Sequence, residues 1–338
     1  MNAKPFVLAH PADHYACGRY RVIWPLQTLI DVGRCDGVAS DYLLDDVTLA
    51  DLRPDVVVFQ RVLELDQLAA VKRYRRILPD AQLIFELDDL ITDIPHDNRY
   101  SKLFYRQTRD RLQQGIGLCD RLVVSTPALA VAYGSYAREV FISRNTLYGD
   151  FWLVGRRHVS HSRPRVGWAG SSGHLGDLKF MIPVIRATSS VIDWIFLGPV
   201  PEAFRKYAKE IHPLVSIDDY PAKLASLDLD LAVAPLAVHP YNDAKSCLRL
   251  LELGACGYPV LCSDGVGAFD VPLPVTRVEN RADAWIDAVV SAVADLVALA
   301  RRGDELRQVI RDQWIMDRCS ADLAAAWGVS CQNFPSDE

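Results

Sequence analysis

The sequence predicts an α/β protein built from two doubly wound parallel sheets. Short apolar runs alternate with helical patterns along most of the 338 residues, and this alternation is typical of parallel sheets. Most of the runs are continuously apolar, as in strands that helices cover on both faces. A polar interruption at 146–164 is followed by a new strand with a glycine-rich turn, which indicates the start of a second domain.

The elements follow from these patterns in order. Strands are predicted at 6–9, 56–59, 83–87, 121–125, 140–142, 165–169, 194–197, 231–234 and 259–262. Helices are predicted at 65–77, 100–118, 282–300 and 313–327, with another that contains 178–184. We therefore expect one domain over 1–155 and a second over 156–312. Two joined sheets create a cleft, and open parallel sheets bind ligands beyond the carboxyl ends of their strands.

Composition excludes several classes of protein. The chain is 50% hydrophobic and 24% charged, as an ordinary globular protein is. With a net charge of −6, the chain lacks the positive electrostatic field of a general nucleic-acid binder. No nucleic-acid partner is therefore expected. The eight cysteines show no C-x-x-C spacing, and no long uncharged apolar window occurs. We expect a reduced, cytoplasmic and soluble protein, and the cysteines show no zinc-like pattern with a histidine.

The glycine-rich turn at 167–177 reads GWAGSSGHLGD and connects a predicted strand to a predicted helix. Glycines let a backbone approach a ligand closely, and a helix N-terminus offers unpaired N–H groups to an anion. The spacing is not G-x-G-x-x-G, so the dinucleotide fingerprint is absent. A tight strand–helix turn, with His174 and Asp177 as capping residues, is the alternative interpretation.

A second polar constellation occupies 241–252, with the sequence YNDAKSCLRLLE. A helix that starts near Lys245 would place Lys245, Arg249 and Glu252 on one face. Two cations suit a diphosphate, and a carboxylate suits the paired hydroxyls of a ribose. The alternative is a salt-bridged surface face, against which the apolar neighbours of these residues argue.

These motifs resemble those of GT-B glycosyltransferases of the family-4-like group. The carboxyl-terminal half carries GWAGS-x-x-H-x-x-DL from Gly167 and N-x-x-KS-x-x-R-x-x-E-x-GA-x-G-x-PV from Asn242. The amino-terminal half carries CGRYR from Cys17, the strand end FQR, FELDD from Phe85 and STP from Ser125. The resemblance covers most of the chain.

The resemblance implies two Rossmann-like domains that face each other across a cleft, with a helix at 313–330 that crosses back to the first domain. It implies transfer of a sugar from a nucleotide-diphosphate sugar to a hydroxyl acceptor, with retention of configuration and without a metal or other cofactor. The acceptor would be a glycan, a lipid-linked molecule or a protein. A lipid-linked acceptor would bring the protein into peripheral contact with a membrane.

The resemblance also assigns donor-side residues. Glu252 matches the second Glu of the E-x7-E element, which binds the donor ribose, whereas Ala244 stands at the first. The sugar ring is then left to Asn242, Asp243 or Lys245. The donor-binding set is Gly170, Ser171, Ser172, His174, Asn242, Lys245, Ser246, Arg249 and Glu252, of which His174 and Lys245 are also catalytic candidates.

On the acceptor side, Asp88 and Asp89 follow a strand, where a carboxylate can act as a base or hold a hydroxyl. They complete the catalytic candidates, although an N-cap role is the alternative. The arginines of the 17–21 loop contact phosphate or acceptor, or else are surface residues. The acceptor-side set is Gly18, Arg19, Tyr20, Arg21 and Arg61.

Three other functions compete with this one. A metal-dependent GT-A glycosyltransferase would use Asp88 and Asp89 to hold magnesium or manganese. A non-catalytic GT-B-like binding protein is suggested by Ala244 at a donor-contacting position. A glycosyltransferase that modifies DNA bases fits poorly with the net charge of −6.

Overall fold

A computed structural model describes residues 4–96, 98, 101–102, 107–154, 159 and 161–329, except the side chain of residue 150. The chain divides into two compact units. Unit 1 contains the described residues of 1–92, 104–148 and 316–338. Unit 2 contains the described residues of 93–103 and 149–315.

The described part of unit 1 holds a six-stranded parallel sheet in the order β2-β1-β3-β4-β5-β6. Its strands are β1 (Phe6–His10), β2 (Asp36–Ala39), β3 (Val56–Gln60), β4 (Gln82–Leu87), β5 (Arg121–Val124) and β6 (Glu139–Ile142). Its helices up to residue 148 are α1 (Ala16–Gly18), α2 (Trp24–Asp31), α3 (Asp46–Leu52), α4 (Leu65–Ile77), α5 (Thr108–Leu118) and α6 (Pro127–Tyr133). A π-helical turn, Arg19–Ile23, joins α1 to α2.

Unit 2 likewise holds a six-stranded parallel sheet among its described residues, in the order β12-β11-β10-β7-β8-β9. Its strands are β7 (Arg165–Ala169), β8 (Asp193–Leu197), β9 (Ala208–His212), β10 (Leu231–Ala234), β11 (Val260–Ser263) and β12 (Thr276–Val278). Its helices are α7 (Ile182–Thr188), α8 (Tyr220–Ala225), α9 (Pro240–Asp243), α10 (Leu248–Ala255), α11 (Ala282–Val293) and α12 (Leu296–Gln313).

The last described residues return to unit 1. After α12 the chain forms a 3₁₀ turn, Met316–Cys319, and a short helix, α13 (Ser320–Ala326). The Arg121 guanidinium donates hydrogen bonds to the carbonyl oxygens of Ala325 and Ala326, at 2.8 and 3.0 Å. These bonds attach the end of α13 to the start of β5.

The central strands are buried because their sequences are apolar on both faces. Every residue of β3 and of β7 is buried. In unit 2 the core includes Trp168, Trp194 and Trp285. Full burial of a large apolar side chain contributes about 1.5–3 kcal/mol, so these layers supply much of the driving force for folding.

The two-sheet prediction is confirmed, and each predicted strand is present to within one residue at either end. The sequence patterns missed three strands, β2, β9 and β12. All three lie at sheet edges. An edge strand has one neighbour and remains largely exposed, so its sequence (DGVA, AKEIH or TRV) lacks a continuous apolar run.

The helix at 65–77 is confirmed, but three other helix predictions were wrong. The 282–300 segment is two helices, because the Asp295 carboxylate accepts N–H bonds from Val297 and Ala298 and starts α12 there. The 313–327 segment is the end of α12 followed by the 3₁₀ turn and α13. The 178–184 segment contains a 3₁₀ turn, Lys179–Met181, and the first residues of α7, which begins at Ile182.

The helix predicted at 100–118 is present from Thr108 onwards, where α5 begins. Residues 100 and 103–106 lie outside the described part of the chain. In the ranges that are described, no helix combines the length and the apolar composition needed to cross a membrane.

Candidate functional site

The glycine-rich turn of unit 2 begins directly after β7. The Gly170 N–H donates to the carbonyl of Leu197, at 3.0 Å. A Cβ added at Gly170 would lie 2.4 Å from the Trp168 side chain, so this position requires glycine for packing. Ser172–His174 then forms a 3₁₀ turn. The turn therefore lies at the carboxyl end of the parallel sheet, where such sheets bind ligands.

Asp177 connects this turn to the segment after β10. It is 7% exposed. Its Oδ1 accepts hydrogen bonds from the Ala237 N–H at 2.9 Å and from the Asn242 amide at 2.8 Å. Its Oδ2 lies 3.0 Å from Nδ1 of His174. Asp177 thus holds two of the predicted donor residues together, a role that sequence reasoning missed when it considered Asp177 a helix cap.

The electrostatics around His174 favour a neutral ring. Burial lowers the pKa of His174, and the charges of Lys245 and Arg249 lower it further, whereas the bond to Asp177 raises it. An ionised carboxylate can only accept a hydrogen bond, so Nδ1 carries the ring proton. Nε2 is then an acceptor. Among the described residues it has no hydrogen-bond partner.

The prediction that a helix starts near Lys245 was wrong. Pro240–Asp243 forms the separate helix α9, in which the His239 side chain accepts the Tyr241 N–H at 3.0 Å. The α10 helix then begins at Leu248. Lys245 lies in the turn between them, with its ammonium group 4.4 Å from the centre of the Tyr241 ring.

Arg249 and Glu252 lie on α10 as predicted, but not on an exposed face. Arg249 donates to the carbonyl of Ala169 at 2.5 Å and to the Tyr220 hydroxyl at 2.8 Å. The Arg249 guanidinium is 3.5 Å from the Glu252 carboxylate, which is 7% exposed. The Arg249 guanidinium therefore reaches the end of β7, beside the glycine-rich turn.

The residues around Ala244 already have partners within unit 2. Asn242 is 2% exposed and donates to Asp177 and to the Ala237 carbonyl. The Asp243 carboxylate accepts the Gly267 N–H at 2.9 Å. Two of the three residues considered as replacements for the missing Glu are thus engaged in holding loops together.

In unit 1 the two aspartates follow β4, and Cys17 lies beside them. One side-chain atom from each of Cys17, Asp88 and Asp89 lies within 4.8 Å of the others. Burial and the charge of Asp89 raise the pKa of Asp88, while Arg61 acts in the opposite direction. In the described ranges, Oδ1 of Asp88 is buried without a hydrogen-bond partner.

Arg61 is held at the edge of this cluster. It has a left-handed backbone, with φ of 51°, and its guanidinium lies 3.1 Å from the Asp13 carboxylate. A non-glycine residue in this conformation is uncommon and is found where the surroundings impose it. The charge of Arg61 also acts on Asp88, one of the carboxyl groups that follow β4.

Arg21 is not a surface arginine. It lies in the π-helical turn, is 4% exposed, and pairs with the fully buried Glu86 at 2.6 Å. It also donates to the Ser143 carbonyl at 2.6 Å and to the Asn145 side chain at 2.7 Å. π-Helical turns are frequent at functional sites. In this turn, however, the Arg21 side chain makes its contacts with other residues of the protein.

Sequence reasoning missed Glu86. Burial raises the pKa of Glu86 to about 7, and the Asp88 charge raises it too, although Arg21 opposes both. Its Oε2 is buried with no partner in the described part of the chain. The available signal was a charged residue inside an otherwise apolar strand, QLIFEL.

Two other acceptor-side candidates, Gly18 and Tyr20, stabilise the local fold. A Cβ at Gly18 would lie 1.7 Å from the Asp13 carbonyl oxygen, so only glycine fits. Tyr20 is 2% exposed and packs edge-on against Trp24, with ring centres 4.8 Å apart. Arg19 is half-buried in the same turn.

Comparison with solved structures finds the same architecture at low sequence identity. Sucrose-phosphate synthase from Thermosynechococcus elongatus gives a TM-score of 0.65 at 13% identity, covering 96% of this chain and 98% of that one. HepE from Anabaena, in complex with UDP and glucose, gives 0.65 at 10% identity, covering 96% and 99%. A glycosyltransferase from Rickettsia africae gives 0.65 at 12% identity, covering 97% and 99%.

These likenesses extend over nearly the whole of each chain, and together with the two parallel sheets they define a protein of the GT-B fold. The fold expected from the motifs is thereby confirmed. No protein-family model matches the chain, and no curated sequence matches it.

Proposed function

We propose that the protein is a glycosyltransferase that moves a sugar from a nucleoside-diphosphate sugar to a hydroxyl acceptor. One observation carries the proposal: polar groups of the glycine-rich turn and of α10 converge at the carboxyl end of β7. The Arg249 guanidinium contacts the Ala169 carbonyl there, and the charges of Lys245 and Arg249 act on His174. HepE has the same fold, and its solved structure is a complex with UDP and glucose.

The charges of unit 2 suit the leaving group of such a reaction. Negative charge builds on the diphosphate as the sugar–phosphate bond breaks, and a cation already in position lowers the barrier. Lys245 and Arg249 are the cations of this site, and Ser171, Ser172 and Ser246 supply hydroxyl and N–H donors. Glu252 accepts the ribose hydroxyls in this proposal.

Unit 1 supplies the acceptor side. A carboxylate near the acceptor hydroxyl takes its proton as the new glycosidic bond forms, and Asp88 is the candidate base. A base works best when its pKa lies near the working pH, and the pKa of Asp88 is raised by burial and by Asp89. Arg61 and Arg19 hold an anionic or polar part of the acceptor.

A metal-dependent transferase is the second candidate, because Cys17, Asp88 and Asp89 could supply three ligand atoms. The nearby Arg61 cation disfavours a divalent ion at this place. We therefore favour transfer without a metal, with retention of configuration as the resemblance implies.

A thermal-shift panel with UDP, GDP, ADP, CMP and dTDP, each with and without magnesium, tests the proposal. A ligand at about 100 times its Kd stabilises the native state by about 2.7 kcal/mol. We expect one diphosphate to raise Tm independently of magnesium. A shift that requires magnesium would favour the metal-dependent candidate, and no shift with any nucleotide would contradict nucleotide-sugar transfer.

A further inference from the structure

We propose that Asp177 is a positioning residue that holds His174 as the tautomer whose Nε2 accepts a hydrogen bond from a hydroxyl group of the transferred sugar. The inference deepens the proposed function and rests on it, because it requires a sugar nucleotide in unit 2. It gives Asp177 a role in positioning and makes His174 a residue that distinguishes a sugar nucleotide from the bare nucleotide.

The first step is the geometry of the carboxylate. The two Asp177 oxygens have different partners. Oδ1 accepts the Ala237 N–H and the Asn242 amide, at 2.9 and 2.8 Å, while Oδ2 faces Nδ1 of His174, at 3.0 Å. At 7% exposure, Asp177 makes these bonds with little competition from water. The ring orientation and the position of its proton are therefore set before any ligand binds.

The second step is the chemistry of the open ring atom. The His174 side chain is 22% exposed, so a ligand in the turn can reach it. With the proton on Nδ1, Nε2 offers a lone pair and needs an O–H or N–H group as its partner. A phosphate oxygen without a proton cannot supply one, whereas a sugar hydroxyl can.

Different protein groups suit different parts of the donor molecule. Three charged or titratable groups act on His174, namely Asp177, Lys245 and Arg249. The two cations suit the diphosphate, and they disfavour a second proton on the neighbouring imidazole. Glu252 is assigned to the ribose, so the hydroxyl left for Nε2 belongs to the sugar.

The substitution Asp177→Asn separates positioning from simple structural support. The amide oxygen can keep both Oδ1 bonds, to Ala237 and Asn242. The amide nitrogen replaces Oδ2 and donates to Nδ1, which moves the ring proton to Nε2 and removes the acceptor. Asp287→Asn, an exposed position on α11, is the matched control.

Nitrogen-15 NMR of histidine-labelled protein reads the tautomer without any ligand, with the His174 signals assigned by their loss in His174→Phe. We expect the proton on Nδ1 in the wild type and in Asp287→Asn, and on Nε2 in Asp177→Asn. A wild-type ring protonated on Nε2, or on both nitrogens at pH 7.5, would overturn the inference.

Calorimetry with UDP and UDP-glucose (or GDP and GDP-mannose if guanine is preferred in the panel) then tests the contact. We expect His174→Phe and Asp177→Asn to weaken sugar-nucleotide binding about 5- to 10-fold and to leave the diphosphate within about twofold. Equally weakened binding of the diphosphate and the sugar nucleotide would mean that His174 contacts the phosphate or the ribose. It would overturn the sugar contact. Unchanged affinity for both would also overturn it.

The NMR and calorimetry results together distinguish a failure of the proposed function from a failure of the inference about Asp177 and His174. A wild type that binds neither the diphosphate nor its sugar conjugate contradicts the proposed function and, with it, the sugar contact. Nucleotide binding by a wild type with the wrong tautomer overturns the inference, both the role of Asp177 and the acceptor role of Nε2, and leaves the proposed function standing. Recovery of both the Nδ1 tautomer and the sugar-nucleotide preference in Asp177→Glu would support positioning by a carboxylate.

Discussion

The cluster at the end of β4 in unit 1 and the cluster after β7 in unit 2 both lie at the carboxyl end of a strand in a parallel sheet, yet their chemistry is opposite. After β7, the Asp177 carboxylate uses both oxygens in hydrogen bonds, and cations act on His174. At the end of β4, burial raises the pKa values of Glu86 and Asp88, and a neighbouring aspartate raises each of them further. Oxygens of Glu86 and Asp88 are buried without a partner in the described residues.

In both units the sheet determines where the cluster lies, and the loops determine its chemistry. A site with a hydrogen-bonded carboxylate and neighbouring cations suits an anionic ligand. A site with buried, under-satisfied carboxyls suits proton transfer, since their pKa values are moved towards neutrality.

The largest expected effect is on catalysis by unit 1. Asp88→Asn should lower kcat about 10²- to 10⁴-fold, the usual contribution of a general base, because the amide cannot take a proton. The Kd of the nucleoside diphosphate should not change, and calorimetry beside steady-state kinetics would measure both. Asp80→Asn, on an exposed turn of unit 1, is the control; near-normal kcat in Asp88→Asn would remove the base from unit 1.

The next effect concerns Glu86 and the pH dependence of stability. Its pKa in the folded protein is about 7, above the ordinary value of 4.5, so the native state binds more protons than the unfolded state between these values. The stability from protonated Glu86 is therefore present below pH 4.5 and is lost as pH rises through 7. At about 1.4 kcal/mol per unit, the loss is at most about 3–4 kcal/mol.

Urea unfolding of wild type and Glu86→Gln at several values between pH 5 and about pH 8 would measure this slope. The amide of the variant does not ionise, so its free energy of unfolding lacks the Glu86 contribution to the pH dependence. The slope is therefore the informative quantity, and we expect the decline with rising pH to be shallower in the variant. Parallel curves for the two proteins would show that Glu86 does not titrate in this range.

A smaller effect is expected on binding in unit 2. Lys245→Met should weaken nucleoside-diphosphate binding about 10- to 100-fold, as expected for a lost hydrogen bond to a charged group. Lys206→Met is the matched control, because the Lys206 ammonium also lies over a tyrosine ring, 4.8 Å from the centre of Tyr207. Equal affinities in the two variants would refute the assignment of the diphosphate to Lys245.

The smallest expected effect is that of metal removal. Treatment with EDTA should change kcat and the Kd of the diphosphate by less than about twofold, because the cationic side chains stabilise the leaving group in place of a divalent ion. Activity assays before and after chelation, with manganese or magnesium restored, would check this. A large loss that manganese reverses would assign a metal to Cys17, Asp88 and Asp89.

The predictable parts of the fold were those with a strong local pattern. Strands such as β3 and β7 are apolar at nearly every position, so their burial on both faces can be read from the sequence. The edge strands were missed because exposure leaves them no such pattern. The helix boundary at Lys245 was missed because His239 starts a separate helix at Pro240, and this cap forms through side-chain geometry.

The candidate site was predictable in residue type but not in arrangement. The glycine-rich turn and the basic residues near α10 stand out as motifs, because a few residue types suit an anionic ligand. Asp177 and Glu86 did not stand out as site residues. Their importance depends on partners that lie far away along the chain.

The sequence by itself determined the α/β class, the central strands of both sheets and the polar residues on the loops after them, since these depend on periodicity and composition over short windows. Only the tertiary structure decided which polar groups meet. Arg21 pairs with Glu86, and Asn242 with Asp177, each across a separation of 65 residues. The physical reason is that burial and pairing over such separations depend on how whole strands and helices pack, and no local pattern encodes that packing.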